Sequence, residues 1–140
     1  MTQEKSINFR TDGVTNLAQR VRSGETTAHD LVQHALNQIN EFNGTINAFV
    51  ALDPEAALKE AHRIDSLVSM GEDPGPLAGI PLGVKDLEDA SGFATTLGSN
   101  VLSSNEPVTN DSFLVARLKA SGAIVVGLSI PKSCLPAKMR

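Results

Sequence analysis

Lys85 is the residue whose type and surroundings most readily do chemistry. The six positions before it, Gly79-Ile80-Pro81-Leu82-Gly83-Val84, carry no charge and are mostly apolar. An ammonium held there loses hydration, and desolvation disfavours the charged form, so the amine is expected to sit neutral and serve as a general base. The same pattern fits a lysine at a strand end whose head reaches water, or pairs with Asp86, Glu88 or Asp89.

Other chemistry-bearing side chains are less well placed. His29 and His34 are five apart on one expected helix, so they do not share a face as a metal-binding i, i+4 pair would. His62 stands alone in sequence and reads as a surface or packing histidine. Asp86, Glu88 and Asp89 could gather round a cation, but the glycine and terminal glutamate of a calcium loop are absent and a solvated loop fits as well. The hydroxyls of Thr95, Thr96 and Ser99 fit a loop that fixes its own backbone. Cys134, the single cysteine, has no histidine near it in sequence and reads as an incidental thiol. No P-loop and no G-x-G-x-x-G occurs. Neither a metal nor a cofactor is expected.

Three helices are expected to carry the first half of the chain. Val14, Leu17, Ala18 and Val21 repeat at helical spacing, with Gly24 as the stop. A second helix opens at Thr27, with Asp30 three residues on, buries Val32, Ala35, Leu36 and Ile39, and is expected to end at Asn43-Gly44. Ala48 to Leu52 reads as a strand. Asp53 then caps a third helix with Pro54 at its first position, bearing Ala57, Ala61, Ile64 and Val68 and stopping near Gly71.

The character changes at Asp73. DPGPLAGIP, with three prolines and two glycines, is a rigid irregular approach to Leu82–Asp86, a short buried strand with a charged end. Ala90 to Ser99 reads as loop, and the region after Ala90 as the least ordered. A last helix starts at Asn110 or Asp111, buries Leu114, Val115 and Leu118, and stops at Gly122; Ala123 to Gly127 is a strand. The expected fold class is α/β: N-terminal helices over residues 1–72, part of a mixed sheet flanked by helices over 73–127, and an aberrant or truncated tail over 128–140.

Composition sets the outer limits. Hydrophobic residues at 41% against 20% charged can build a core, and the formal net charge of −4 disfavours a nucleic-acid or anionic-membrane surface. Aromatics are 4%, all Phe, too few for base-stacking platforms. The polar start, MTQEKSINFR, has no signal-peptide core, and AIVVGL is too short to cross a bilayer. Together with one cysteine, this makes a cytoplasmic location the expectation.

The run Gly75–Ser99, GPLAGIPLGVKDLEDASGFATTLGS, resembles the opening of the amidase signature family, with its pattern G-P-L-x-G-I-P-x-x-V-K-D followed by G-x-x-T-T-x-G-S. The matching positions include Gly75, Pro76, Gly79, Pro81, Val84, Lys85, Asp86, Gly92, Thr95, Thr96, Gly98 and Ser99. Asp111-Ser112 with Val115, Arg117, Leu118, Gly122 and Ala123 is similar to a further segment of the family, and the resemblance spans about Val14 to Gly127. It implies an incomplete amidase signature fold and a hydrolase that cleaves carboxamide C–N bonds through a Ser–cis-Ser–Lys triad, with Lys85 in the lysine position. The lysine takes a proton from the bridging serine, which deprotonates the nucleophilic serine.

The bridging serine and the nucleophile would lie on a Gly/Ser-rich loop that this chain does not contain. Where the family continues K/L-T-N-x-P-E-F, the chain reads LSIPKSCLPAKMR, with Lys132 near the expected acid; Ser99, Ser129 and Ser133 sit in no suitable turn. The 140 residues are therefore expected to be inactive alone, with a small amide as substrate of the whole protein, no direct nucleic-acid or membrane contact, and homo-oligomerisation left open. A fragment of the catalytic component of a glutamine-dependent tRNA amidotransferase is an alternative, but that subgroup reads I-K-D-N and C-A-S where this chain has Val84-Lys85-Asp86-Leu87 and Leu97-Gly98-Ser99. A non-catalytic remnant or docking partner is another. Its unpaired edges and apolar faces would be expected around Val84 and Val125.

Overall fold

The computed structural model describes residues 6–131. Its elements run α1 (Val14–Arg22), α2 (Ala28–Ile46), β1 (Phe49–Leu52), α3 (Pro54–Ser69), β2 (Pro81–Lys85), α4 (Phe113–Ala120) and β3 (Ile124–Ser129), with one 3₁₀ turn at Asn100–Leu102. Cys134, Lys132 and Ser133 lie outside the described residues.

The helix starts follow local chemistry. Thr27 accepts the Asp30 N–H at 3.0 Å and opens α2. Asp53 accepts the Ala56 N–H at 3.0 Å, with Pro54 in the first turn of α3 where its missing N–H is no loss. The other two donors at the start of α2 are met from a distance: Asp65 on α3 accepts the Ala28 N–H at 2.7 Å and the His29 N–H at 3.1 Å. One carboxylate thus caps α2 and fixes it against α3.

The α2 helix does not stop at Asn43-Gly44 but continues to Ile46. The Asn43 side chain is occupied outside the helix: its carboxamide donates to the Phe49 carbonyl at 3.0 Å and accepts the Phe49 N–H at 2.8 Å. Asn47, at φ 49°, supplies the left-handed stop instead. The last helix also differs. Ser112, not Asn110 or Asp111, is its cap, and only Val115 is buried; Leu114 is exposed and Leu118 half-buried. Asp111 is diverted to Lys119 (2.9 Å) and to the Ser91 N–H (2.7 Å).

The sheet order is β1-β3-β2, with β3 antiparallel to β1 and parallel to β2. β3 runs two residues past Gly127, through buried Leu128 to Ser129. Its register with β2 slips between Leu82 and Gly83, so that Val126 is skipped. A slip of one residue moves a side chain to the opposite face. Ile124 and Val126 therefore face the helical layer with Leu17, Val21, Leu31, Val32 and Ile64, while Leu128 joins Val125, Val84, Phe93 and Val115 on the other side. Val84 is buried and Val125 half-buried beneath α4 and Phe93, so the apolar faces expected there are covered. Burying a Leu31 or an Ile64 completely contributes about 1.5–3 kcal/mol each.

Candidate active site

The proline-rich approach reaches the sheet by locking onto the turn before β3. Leu77 N–H donates to the Ser121 carbonyl at 2.8 Å and Gly79 N–H to the Gly122 carbonyl at 3.0 Å. A Cβ on Gly75 would lie 2.5 Å from the Ser121 oxygen, and one on Gly122 would lie 2.6 Å from the Pro74 oxygen; both residues have positive φ. No other residue type fits this crossing. It delivers β2 into register with β3, ending at the pair Lys85↔Ser129.

Lys85 is exposed. The sheltered position expected from its apolar neighbours is not formed, because alternation along β2 turns Val84 into the core and Lys85 away from it. Among the described residues, no carboxylate forms an ion pair with Lys85.

The next residue is the buried one. Asp86 is 1% exposed, and its backbone N–H extends the ladder to the Ser129 carbonyl at 2.9 Å. Its carboxylate accepts the Thr96 N–H at 2.7 Å, the Gly98 N–H at 3.2 Å and the Thr96 hydroxyl. These donors supply the partners that a buried carboxyl group requires. Between them Leu97 is held at φ 53°, in the left-handed region. Asp89 accepts the Thr95 hydroxyl at 2.6 Å. The acidic cluster is therefore divided: two of its members fasten the Thr95–Gly98 loop. Among the described residues no group of three or more His, Cys, Asp or Glu could hold a metal ion.

The far side of this loop is also tied. Gly92 N–H donates to the Val108 carbonyl at 3.0 Å and Val108 N–H to the Phe93 carbonyl at 2.9 Å. Asp111 joins it to α4. Burial, the largest influence on the Asp111 carboxyl, pushes it up, but the Ser91 N–H and the Lys119 ammonium together hold it below the ordinary carboxylate value. The stretch after Ala90 has little regular structure, yet it is cross-braced. Ser99 accepts the Val101 N–H at 3.2 Å and starts the 3₁₀ turn. A cleft of about 420 Å³ opens here, bounded by Asp86, Thr96, Ser99 and Asn100 and by the apolar Ala51 and Leu128.

The histidines lie elsewhere. His29 and His62 stack with ring centres 5.0 Å apart, so His62 is not isolated in space, and His34 packs edge-on against Phe9 at 4.9 Å. The role of Asp86 was hidden in the sequence by its acidic neighbours. The signal that separates it is the Thr95-Thr96 pair ten residues on, which supplies the donors.

The family model for Amidase matches residues 30–131, a span that contains β2, Lys85 and the Asp86-held loop. The chain belongs to the amidase family. A glutamyl-tRNA(Gln) amidotransferase component from Cutibacterium acnes is 40% identical over 111 residues, covering 79% of this chain and 22% of that protein. AtzE of Pseudomonas sp. strain ADP, a component of 1-carboxybiuret hydrolase, is also 40% identical over 111 residues, with 79% and 24% covered. The solved peptide amidase of Stenotrophomonas maltophilia superposes with a TM-score of 0.77 at 38% identity, over 86% of this chain and 25% of that one. The chain thus spans about a quarter of the length of these amidase relatives, and its α/β architecture is that of the peptide amidase over the superposed span. No helix among the described residues is long and apolar enough to cross a membrane.

Proposed function

We propose that this chain is the N-terminal part of a cytoplasmic amidase signature hydrolase that cleaves carboxamide C–N bonds, with Lys85 as the proton acceptor of a Ser–cis-Ser–Lys triad. In this reading the amine takes the proton of a bridging serine, which deprotonates the nucleophile. The nucleophile attacks the amide carbonyl, the proton passes to the leaving amine, and water clears the acyl-enzyme. Both serines would come from a Gly/Ser-rich segment outside residues 1–140. The observation that carries the proposal is the position of Lys85, at the exposed end of a strand held in register by the Gly75–Gly122 crossing, inside the matched span. Exposure leaves the amine open to a further segment whose packing would then dry it.

On this reading the 140 residues alone leave simple carboxamides intact. The test is the coding sequence beyond the Arg140 codon. A Gly/Ser-rich reading frame in any phase supports a hydrolase; its absence favours a non-catalytic remnant or docking partner. A second reading is the catalytic component of a glutamine-dependent tRNA amidotransferase; the 40% identity to the Cutibacterium acnes protein is compatible with it but equals that to AtzE, so identity does not separate the two. Val-Lys-Asp-Leu and Leu-Gly-Ser at the motif favour a stand-alone amidase. Ammonia release from simple carboxamides by the whole protein, without a partner protein, separates the two.

A further inference from the structure

We propose that Asp86 is a positioning residue for Lys85, acting through the Thr96 hydroxyl and the Thr96–Gly98 backbone. The proposal takes its functional meaning from the reading of Lys85 as proton acceptor, but its test does not use hydrolysis. Lys85 is the last residue of β2, and the chain turns immediately after it: the Leu87 and Glu88 N–H groups both donate to the Lys85 carbonyl, at 2.6 and 3.0 Å. A long side chain on a strand end is aimed only as well as its own backbone is fixed. On the N-terminal side that backbone is fixed by buried Val84. On the C-terminal side the corresponding anchor is Asp86, buried and holding a loop ten residues further on.

The loop geometry supports a positioning role rather than simple filling of space. All three Asp86 contacts are donors turned to one carboxylate, and Leu97 between them sits in a conformation that a leucine adopts when its surroundings impose it. An asparagine at position 86 keeps the shape but offers a single acceptor oxygen and turns an NH2 group toward donors. A valine at position 96 removes one hydroxyl contact without altering charge.

The test uses the full 140-residue chain, labelled with limiting acetic anhydride across a range of pH. The rate at Lys85 is read by mass spectrometry relative to exposed Lys59 on α3. In Asp86→Asn and Thr96→Val the Lys85/Lys59 ratio should change by about threefold or more, with an altered pH profile. Thr96→Ser, which keeps the hydroxyl, should restore the wild-type profile, and the Ile64 methyl signals in the helical layer should stay in place throughout. A wild-type Lys85 profile in folded Thr96→Val overturns the proposal whatever Asp86→Asn does, because removing a carboxylate beside Lys85 alters its profile through charge alone. If Asp86→Asn does not fold, Thr96→Val decides alone; loss of the Ile64 signals in both variants also overturns it, leaving Asp86 a folding residue only. A Lys85 that responds to Asp86 yet is dispensable for hydrolysis in the whole protein would keep the positioning role and end the proton-acceptor reading.

Discussion

Removing the Asp65 carboxylate should weaken the helical layer more than its half-buried position suggests. Its oxygens take the Ala28 and His29 N–H groups at 2.7 and 3.1 Å, two of the donors that a helix start leaves without an internal partner. Ala28 is fully buried, so water cannot replace the carboxylate there. An unmet buried donor costs about 1–3 kcal/mol. Losing a negative charge at a helix N-terminus adds roughly 0.3–1 kcal/mol. Asp65→Ala should therefore cost about 2–4 kcal/mol, and Asp65→Asn, which keeps one acceptor, roughly half of that. In urea unfolding followed by circular dichroism, with a slope near 1–3 kcal/mol/M, the alanine variant's midpoint should fall by about 1–2 M at unchanged slope. A fall below roughly 0.3 M would show that Thr27 alone suffices to start α2.

Other expectations test separate parts of the structure. Gly127→Ala puts a methyl carbon hard against the Ala51 carbonyl oxygen and 2.7 Å from a Leu52 methyl, so β1 and β3 must separate. Thermal unfolding should show a loss of about 1–3 kcal/mol, and an unchanged midpoint would refute the close approach. The Asp111 carboxyl is held low in the folded chain. It therefore contributes stability that is complete above the unfolded-state value of about 4 and is lost as pH falls through the folded value. Asp111→Asn should flatten the acid limb of urea midpoints measured against pH, and a parallel shift at every pH would contradict the assignment. Lys85→Ala removes an exposed side chain and should leave stability within about 0.5 kcal/mol, read by the same melts. A larger loss would mean that Lys85 supports the fold.

What the sequence showed plainly was local. Thr27, Asp53 and Pro54 act within one helical turn, and Ile64 or Val32 recur at a spacing set by the backbone alone, so the three N-terminal helices were legible. A mixed sheet was legible from a helix followed by a buried strand, and β3 pairs parallel with β2 and antiparallel with β1. The sequence misleads where a side chain has a distant partner. Asn43 reads as a helix stop until Phe49 occupies it, and Asp111 reads as a cap until Lys119 and Ser91 do. At the candidate site the motif picks out Lys85, but the hydropathy of the preceding residues suggests a shelter that the described residues do not form. Alternation along β2, together with the slip at Val126, decides which residue faces in, and that depends on β3, about forty residues downstream.

The role assigned to Lys85 is tested most directly in a whole catalytic framework. Residues 14–129 can replace the matching segment of the Stenotrophomonas maltophilia peptide amidase, whose structure superposes on this chain at 38% identity. This chimera should hydrolyse amides, and Lys85→Ala should slow it by about 10²–10⁴-fold while its thermal midpoint is unchanged. A chimera that turns over as fast with alanine at position 85 as with lysine would contradict that role.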